Sequence, residues 1–134
     1  NGAGLLYTPL TAPLRLYDTR APIAGFTPCE YLSMPIPTDG ELAKSAHLTC
    51  QAQTIPMTAQ AIAGNATVIG PAAAGFATLY PDGQLRPPVS NLNYLGGQVV
   101  PNAFTVGLDG LGKFRVYTTA QAHFAVDVTG YFAP

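Results

Sequence analysis

An aspartate stands at the centre of the apolar segment 124–132, which reads FAVDVTGYF. A carboxylate between two valines is a catalytic group, a metal ligand or a buried structural partner. In a strand, Asp127 would lie on the face opposite Val126 and Val128. Because burying a lone carboxylate is very costly, we expect a pairing partner and predict Arg20, with Asp18 and Arg115 as competitors.

The other residues that could do chemistry stand in patterns that predict no reaction. Ser33, Ser45 and Ser90 lie in no GxSxG motif, and neither His47 nor His123 has a partner at recognisable spacing. The loop aspartates adjoin glycines, without the alternating oxygen ligands of a calcium site. We therefore expect a non-enzymatic protein with no cofactor and no metal site.

The composition excludes two further classes of partner. Charged residues make up 10% of the chain and the net charge is −1, whereas a typical protein has about 25% charged residues. This balance provides no basic patch for nucleic acid or an anionic membrane. No apolar run approaches the roughly 20 residues of a membrane helix. A surface so poor in charge favours association with other proteins.

Two cysteines, Cys29 and Cys50, indicate the compartment. An even count without a CxxC motif or histidines at ligand spacing favours a disulfide over zinc. The chain begins at Asn1 without methionine, as expected for a secreted protein whose signal peptide has been removed. We predict an extracellular, cell-surface location.

Short apolar or alternating segments, each followed by a turn signal, predict the fold. Proline or glycine interrupts almost every window long enough for a helix, and β-branched and aromatic residues lie between the turns. The pattern is typical of an antiparallel β-sandwich or jelly roll. The Asp109-Gly110 and Gly112 positions predict a hairpin that pairs residues 103–108 with 114–118.

Three blocks carry a family resemblance: LRLYDTRAP, GFATLYPDGQLRPPVSNLNYLGGQVVPNAFTVGL and FAVDVTGYF. Together they resemble an all-β domain that recurs in secreted and cell-surface proteins of bacteria, opening on a DTR strand and closing on a DVxGYF strand. The match covers about residues 13–132. The resemblance implies a β-sandwich domain over residues 13–134 that has no catalytic activity of its own.

Residues 1–12 precede this domain and have the pattern of an added strand. Leu6, Thr8 and Leu10 alternate in period two, and Pro9 suits an edge strand because proline lacks a ladder donor. The strand either folds back onto its own sheet or adds to the next subunit, which would give a filament. The second placement predicts a pilus-like homopolymer. Its predicted interface consists of Leu5, Leu6, Tyr7 and Leu10.

A carbohydrate-binding or adhesion module is the alternative function. The segment SNLNYLGGQ places Asn91, Asn93 and Tyr94 in one loop. A tyrosine ring could stack on a sugar while the amides bind its hydroxyls. Against this reading, the chain has no tryptophan, and tyrosines in strands commonly pack at the edge of the core.

Overall fold

The computed structural model describes residues 4–20, 28–31 and 33–134, with only the backbone at Tyr31. Within these residues the fold is all-β, and no helix is long and apolar enough to cross a membrane. The strands are β1 (Leu6–Asp18), β2 (Glu30–Tyr31), β3 (Gly40–Ser45), β4 (Leu48–Cys50), β5 (Gln53–Ile55), β6 (Ala61–Ile69), β7 (Gly75–Pro81), β8 (Leu92–Tyr94), β9 (Val99–Gly107), β10 (Lys113–Thr118) and β11 (His123–Ala133).

The strands form two principal sheets that pack into a sandwich. The five-stranded sheet has the order β2-β1-β11-β6-β9, and the four-stranded sheet has the order β3-β10-β7-β8. Strands β4 and β5 make a separate hairpin. Every pairing is antiparallel except the short one between β1 and β2. The predicted antiparallel β-sandwich is confirmed.

Alternating side chains build the core between the sheets. In β6 the buried and half-buried residues alternate over the whole strand, with Ile62, Ala66 and Val68 pointing inward. Strand β11 contributes Phe124 and Val126 to the same layer. Burial of such side chains contributes about 1.5–3 kcal/mol each, so the strands are fixed in register by their apolar face.

The predicted hairpin around Asp109 is wrong. Strand β9 pairs with β6, and β10 pairs with β3 and β7, so the two segments belong to different sheets. The turn chemistry itself is present, since Asp109 Oδ1 accepts hydrogen bonds from the Leu111 and Lys113 amides. Gly112 has a φ of 78° there. A tight turn therefore sends the chain across the sandwich.

Strand β1 crosses the boundary predicted at residues 12 and 13. Its beginning pairs with the end of β11, from Leu6 opposite Ala133 to Pro9 opposite Gly130, and the register shifts before Leu14. The first strand thus lies in the chain's own sheet. Residues 1–3 lie outside the described part.

Candidate functional site at the edge of the five-stranded sheet

Asp127 is paired, but its partner is Arg15 and the prediction of Arg20 is wrong. Arg15 lies directly opposite Asp127 in the ladder between β1 and β11. It donates from Nε to Oδ1 at 2.8 Å and from Nη2 to Oδ2 at 3.0 Å. This bidentate geometry holds the two strands together on the outer face of the sheet. The hydrogen bond to Asp127 raises the pKa of Arg15. Burial of the guanidinium opposes this shift but has the smaller effect.

Arg20 instead binds Asp18, whose side chain is fully buried at the end of β1. Arg20 donates to both oxygens of that carboxylate, at 3.0 and 2.8 Å, and Arg15 adds a bond at 3.1 Å. Burial alone would raise the pKa of Asp18, but the hydrogen bonds and charge of Arg20, with help from Arg15, outweigh it and lower the pKa. The DTR segment therefore forms a local ion-pair anchor.

The Cys29–Cys50 disulfide, predicted from the sequence, is confirmed, with the two Cα atoms 5.9 Å apart. It ties the β4–β5 hairpin to the region of β2. The hairpin turns at Gln51 and Ala52, which both have positive φ. This backbone conformation is unfavourable for residues other than glycine. The turn directs the Gln51 side chain to the Arg15 amide.

Gln53, on the same hairpin, also hydrogen-bonds to the outer edge of β1, so the two glutamines cap that edge. Its side chain accepts a hydrogen bond from the Ala12 amide and donates one to the Ala12 carbonyl at 2.9 Å. Its oxygen also lies 3.1 Å from the Thr11 hydroxyl, which donates to it. The two glutamines thus occupy the outer edge of β1 over residues 11–15.

Residues 4–10 form the N-terminal arm, which consists of the first part of β1 and the two residues before it. The arm contains all the residues predicted as an interface: Leu5, Leu6, Tyr7 and Leu10. Leu6 is 69% exposed and Tyr7 47% exposed, whereas Leu10 is partly buried against the core. In the described part of the chain, only β11 pairs with the arm.

One side chain fastens the arm to β11. The Tyr7 ring lies over Gly130, where an added Cβ would come within 2.5 Å of the ring atoms. The same ring contacts Phe132 with centroids 5.1 Å apart. Gly130 therefore provides the space that lets an aromatic residue cover the sheet beside it.

The loop predicted to bind glycans does not present an aromatic ring. Tyr94 is only 4% exposed, and its hydroxyl lies 2.6 Å from the Thr118 hydroxyl. Asn91 Oδ1 accepts the Leu79 amide at 2.7 Å, and Asn93 Oδ1 accepts the Ser90 hydroxyl at 3.1 Å. Tyr94 is a core residue, so the prediction that it stacks on a sugar is wrong.

An aromatic and cationic hollow of about 470 Å³ lies on the four-stranded sheet, and the sequence reasoning missed it. Phe76 and Arg86 line the hollow. The Arg86 guanidinium stacks 3.6 Å from the centroid of Tyr117. Tyr117 donates its hydroxyl to Asp39, and this bond, together with burial, raises the pKa of Tyr117. The only available signal was the arginine in LRPP, which pattern alone does not link to these rings.

The histidines make local structural contacts. His47 Nε2 donates to the Ala59 carbonyl at 2.9 Å, and His123 Nδ1 lies 2.8 Å from the Thr19 hydroxyl. Across residues 4–20, 28–31 and 33–134, no group of three or more histidine, cysteine, aspartate or glutamate side chains could hold a metal ion.

Comparison of the chain with protein-family models, curated proteins and solved structures finds no match. The resemblance to the bacterial surface domain therefore stays a prediction.

Proposed function

We propose that the protein is a non-enzymatic structural subunit of the bacterial surface that assembles with copies of itself through its N-terminal arm. The observation that carries the proposal is the arm, an ordered strand whose apolar side chains face solvent. Leu5, Leu6 and Tyr7 are respectively 43%, 69% and 47% exposed. Exposed apolar strand edges are the surfaces on which chains add to one another.

The rest of the chain supports an extracellular scaffold. The Cys29–Cys50 disulfide is typical of proteins that fold in an oxidising compartment. Only 10% of the residues are charged, so little electrostatic repulsion opposes contact between copies. The Arg15–Asp127 ion pair joins β1 to β11 and the Arg20–Asp18 pair braces the end of β1, which suits a structural subunit.

Electron microscopy with sedimentation velocity tests the proposal on the full chain and on Leu6→Lys. A lysine in the arm would place a charge where a neighbouring copy adds, so we expect wild-type filaments to vanish and the variant to sediment as a monomer. Leu85→Lys is the matched control, because Leu85 is 95% exposed and lies in the loop between β7 and β8, outside the arm. Filaments of Leu6→Lys equal to those of the wild type would contradict the proposal, as would a wild-type protein that remains monomeric.

Carbohydrate binding is the second candidate, and the hollow lined by Phe76 and Arg86 favours it. An arginine beside exposed aromatic and proline surface offers both a flat apolar platform and a cation. Such a hollow suits a sugar that carries a carboxylate. Calorimetric titration with uronic-acid oligosaccharides should show binding that Arg86→Ala abolishes and Leu85→Ala does not. Equal binding by both variants would exclude the hollow.

A further inference from the structure

The five-stranded sheet ends on a second open strand, β9, which contains no charged residue over its nine positions. The other outer strands are short, charged or capped. β2 has two residues and β8 has three, while β3 carries Glu41 and Lys44. Short edge strands and charged side chains are the usual protection against pairing with another chain. Strand β9 is neither short nor charged. Pro101 is its one residue of a type that discourages pairing.

The ladder between β6 and β9 shows which backbone groups of β9 are open. Its flanking hydrogen bonds join Gly70 N to the Gln98 carbonyl and Leu108 N to the Gln60 carbonyl. Bonded pairs recur every second residue in an antiparallel ladder, and this ladder has no register shift. The even-numbered residues of β9 therefore bond to β6, and the odd-numbered residues point their amides and carbonyls away.

The odd-numbered positions of β9 from Val99 to Thr105 are exposed and carry small side chains. Val99, Pro101, Ala103 and Thr105 are all exposed. Pro101 falls at one of them, where its missing amide takes nothing from the ladder to β6. In the described part of the chain no hydrogen bond reaches the outward amides of Ala103 and Thr105.

The direction of the strands matches this edge to the arm. From β1 through β11 and β6 to β9, each successive pair is antiparallel, so β1 and β9 run in opposite directions. A second copy placed beside the first in the same orientation brings its β9 antiparallel to the first copy's β1. The sheet then continues across the junction without reversing either molecule.

The length and shape of the two edges also agree. Gln51 and Gln53 cap β1 over residues 11–15, and among the described residues no strand pairs with the outer edge of the arm. On the outer face β9 presents small residues such as Ala103 and Thr105, which leave room beside the Tyr7 ring that packs over Gly130. An aromatic ring and a β-branched residue such as threonine form a favourable pair across strands.

We propose that β9 is the acceptor edge for the N-terminal arm of a second copy, which adds to it as an antiparallel strand. This inference rests on the proposed self-assembly. The junction joins two different edges, so it leaves one free β9 and one free arm at the ends of every chain of copies. It explains a filament without unfolding or exchange of β1.

A proline substitution tests the acceptor edge in the full-length protein. Ala103→Pro removes an outward amide while leaving the ladder to β6, and Ala103→Ser is the control that keeps the amide. We expect filaments from Ala103→Ser and only monomers from Ala103→Pro, with both variants folded by circular dichroism. Filaments from Ala103→Pro would overturn the β9 acceptor and leave self-assembly standing. If Ala103→Pro does not fold, Thr105→Lys takes its place with the same expectations.

Mixing two blocked variants distinguishes this junction from a symmetric one. Leu6→Lys keeps β9 intact and Ala103→Pro keeps the arm intact, so an equimolar mixture should give dimers that contain one copy of each. Dimers formed by Leu6→Lys alone would indicate β9 pairing with β9 and overturn the inference.

If the wild-type protein does not assemble, the proposed function fails. A peptide of the arm then tests separately whether β9 accepts an added strand. The peptide GLLYTPLT, which spans residues 4–11, is titrated into the full-length protein while backbone amide shifts are followed. Shifts at Ala103 and Thr105 that a scrambled peptide does not cause would support the acceptor edge. Their absence would overturn it.

Discussion

The two halves of strand β1 share one ladder with β11 but have opposite environments. Residues 14–18 lie in the core or in the ion-pair network, and Leu14, Leu16, Tyr17 and Asp18 are each at most 1% exposed. In the arm, Leu6 is 69% exposed. The change comes where the register breaks between Pro9 and Leu14. One strand thus serves as an anchor at its end and as a surface at its beginning.

This difference separates stability from association. Burying a large apolar side chain contributes about 1.5–3 kcal/mol, so the anchored half holds the sandwich together. Leu5, Leu6 and Tyr7 of the arm are each more than 40% exposed, so we expect a low local free energy of opening, as is usual for segments that bind partners. Substitutions in the two halves should therefore affect different measurements.

Asp18→Asn should have the largest effect on stability. The substitution leaves a fully buried amide facing the donors of Arg20 and Arg15, and hydrogen bonds to charged groups contribute about 1.5–3 kcal/mol each. Chemical denaturation at neutral pH measures the loss. The control is Asp82→Asn, which changes an ion pair that Arg115 makes on the protein surface. A loss no larger than that of the control would contradict the role of Asp18 as the anchor.

The same carboxylate predicts how stability depends on pH. The folded-state pKa of Asp18 lies below its ordinary value of 3.8. Its stabilisation is therefore complete above that value and is lost as the pH falls through the lower folded-state pKa. Between neutral pH and acid, Asp18→Asn should flatten the decline of the unfolding free energy relative to the wild type. An unchanged pH profile would show that other carboxylates dominate.

Leucine-to-alanine substitutions compare the two halves directly. Leu14→Ala creates a cavity at a fully buried position and should cost about 2–5 kcal/mol. Leu6→Ala removes an exposed side chain and should cost less than about 0.5 kcal/mol, while reducing assembly. Denaturation and sedimentation of both variants check the comparison. It fails if Leu6→Ala destabilises the monomer as much as Leu14→Ala.

Removal of the disulfide should weaken the cap on β1. The bridge joins residues 21 apart, and closing a loop of that size contributes about 3 kcal/mol in the chain-entropy model. In Cys29→Ala/Cys50→Ala we expect faster hydrogen exchange at the Ala12 and Arg15 amides, which donate hydrogen bonds to the glutamines of the hairpin. The Thr8 amide in the arm should not change. Equal acceleration along the whole strand would show that the hairpin caps no particular segment.

Local patterns predicted the strands, and long-range contacts decided their partners. Alternation in β11 identified its inward face, since side-chain parity depends only on neighbours in sequence. The turn at Asp109 was visible, but its destination in the opposite sheet depends on packing between distant strands. The hairpin turn at Gln51 and Ala52 carries no glycine and was not predicted.

As with the fold, the features of the candidate site that depend on local sequence were predictable and those that depend on distant strands were not. The arm was recognised from its apolar alternation, and the disulfide from the number of cysteines. Arg15 was overlooked as the partner of Asp127, although its position between Leu14 and Leu16 gives it the parity of an outward residue. The choice between Arg15 and Arg20 requires the register of two strands that are 112 residues apart at the contact, and one sequence does not contain that register.

Tyr17 provides the smallest and most specific test of the anchored half. Its hydroxyl is buried and has no hydrogen-bond partner among the described residues, and burial strongly raises its pKa. An unsatisfied buried hydroxyl stabilises nothing in the folded state, so Tyr17→Phe should be neutral or stabilise by up to about 1 kcal/mol. Tyr94→Phe is the control, because the Tyr94 hydroxyl lies 2.6 Å from that of Thr118 and its loss should destabilise. A destabilised Tyr17→Phe would reveal a bound partner for that hydroxyl, and the anchor would then include a polar contact beyond the ion pairs.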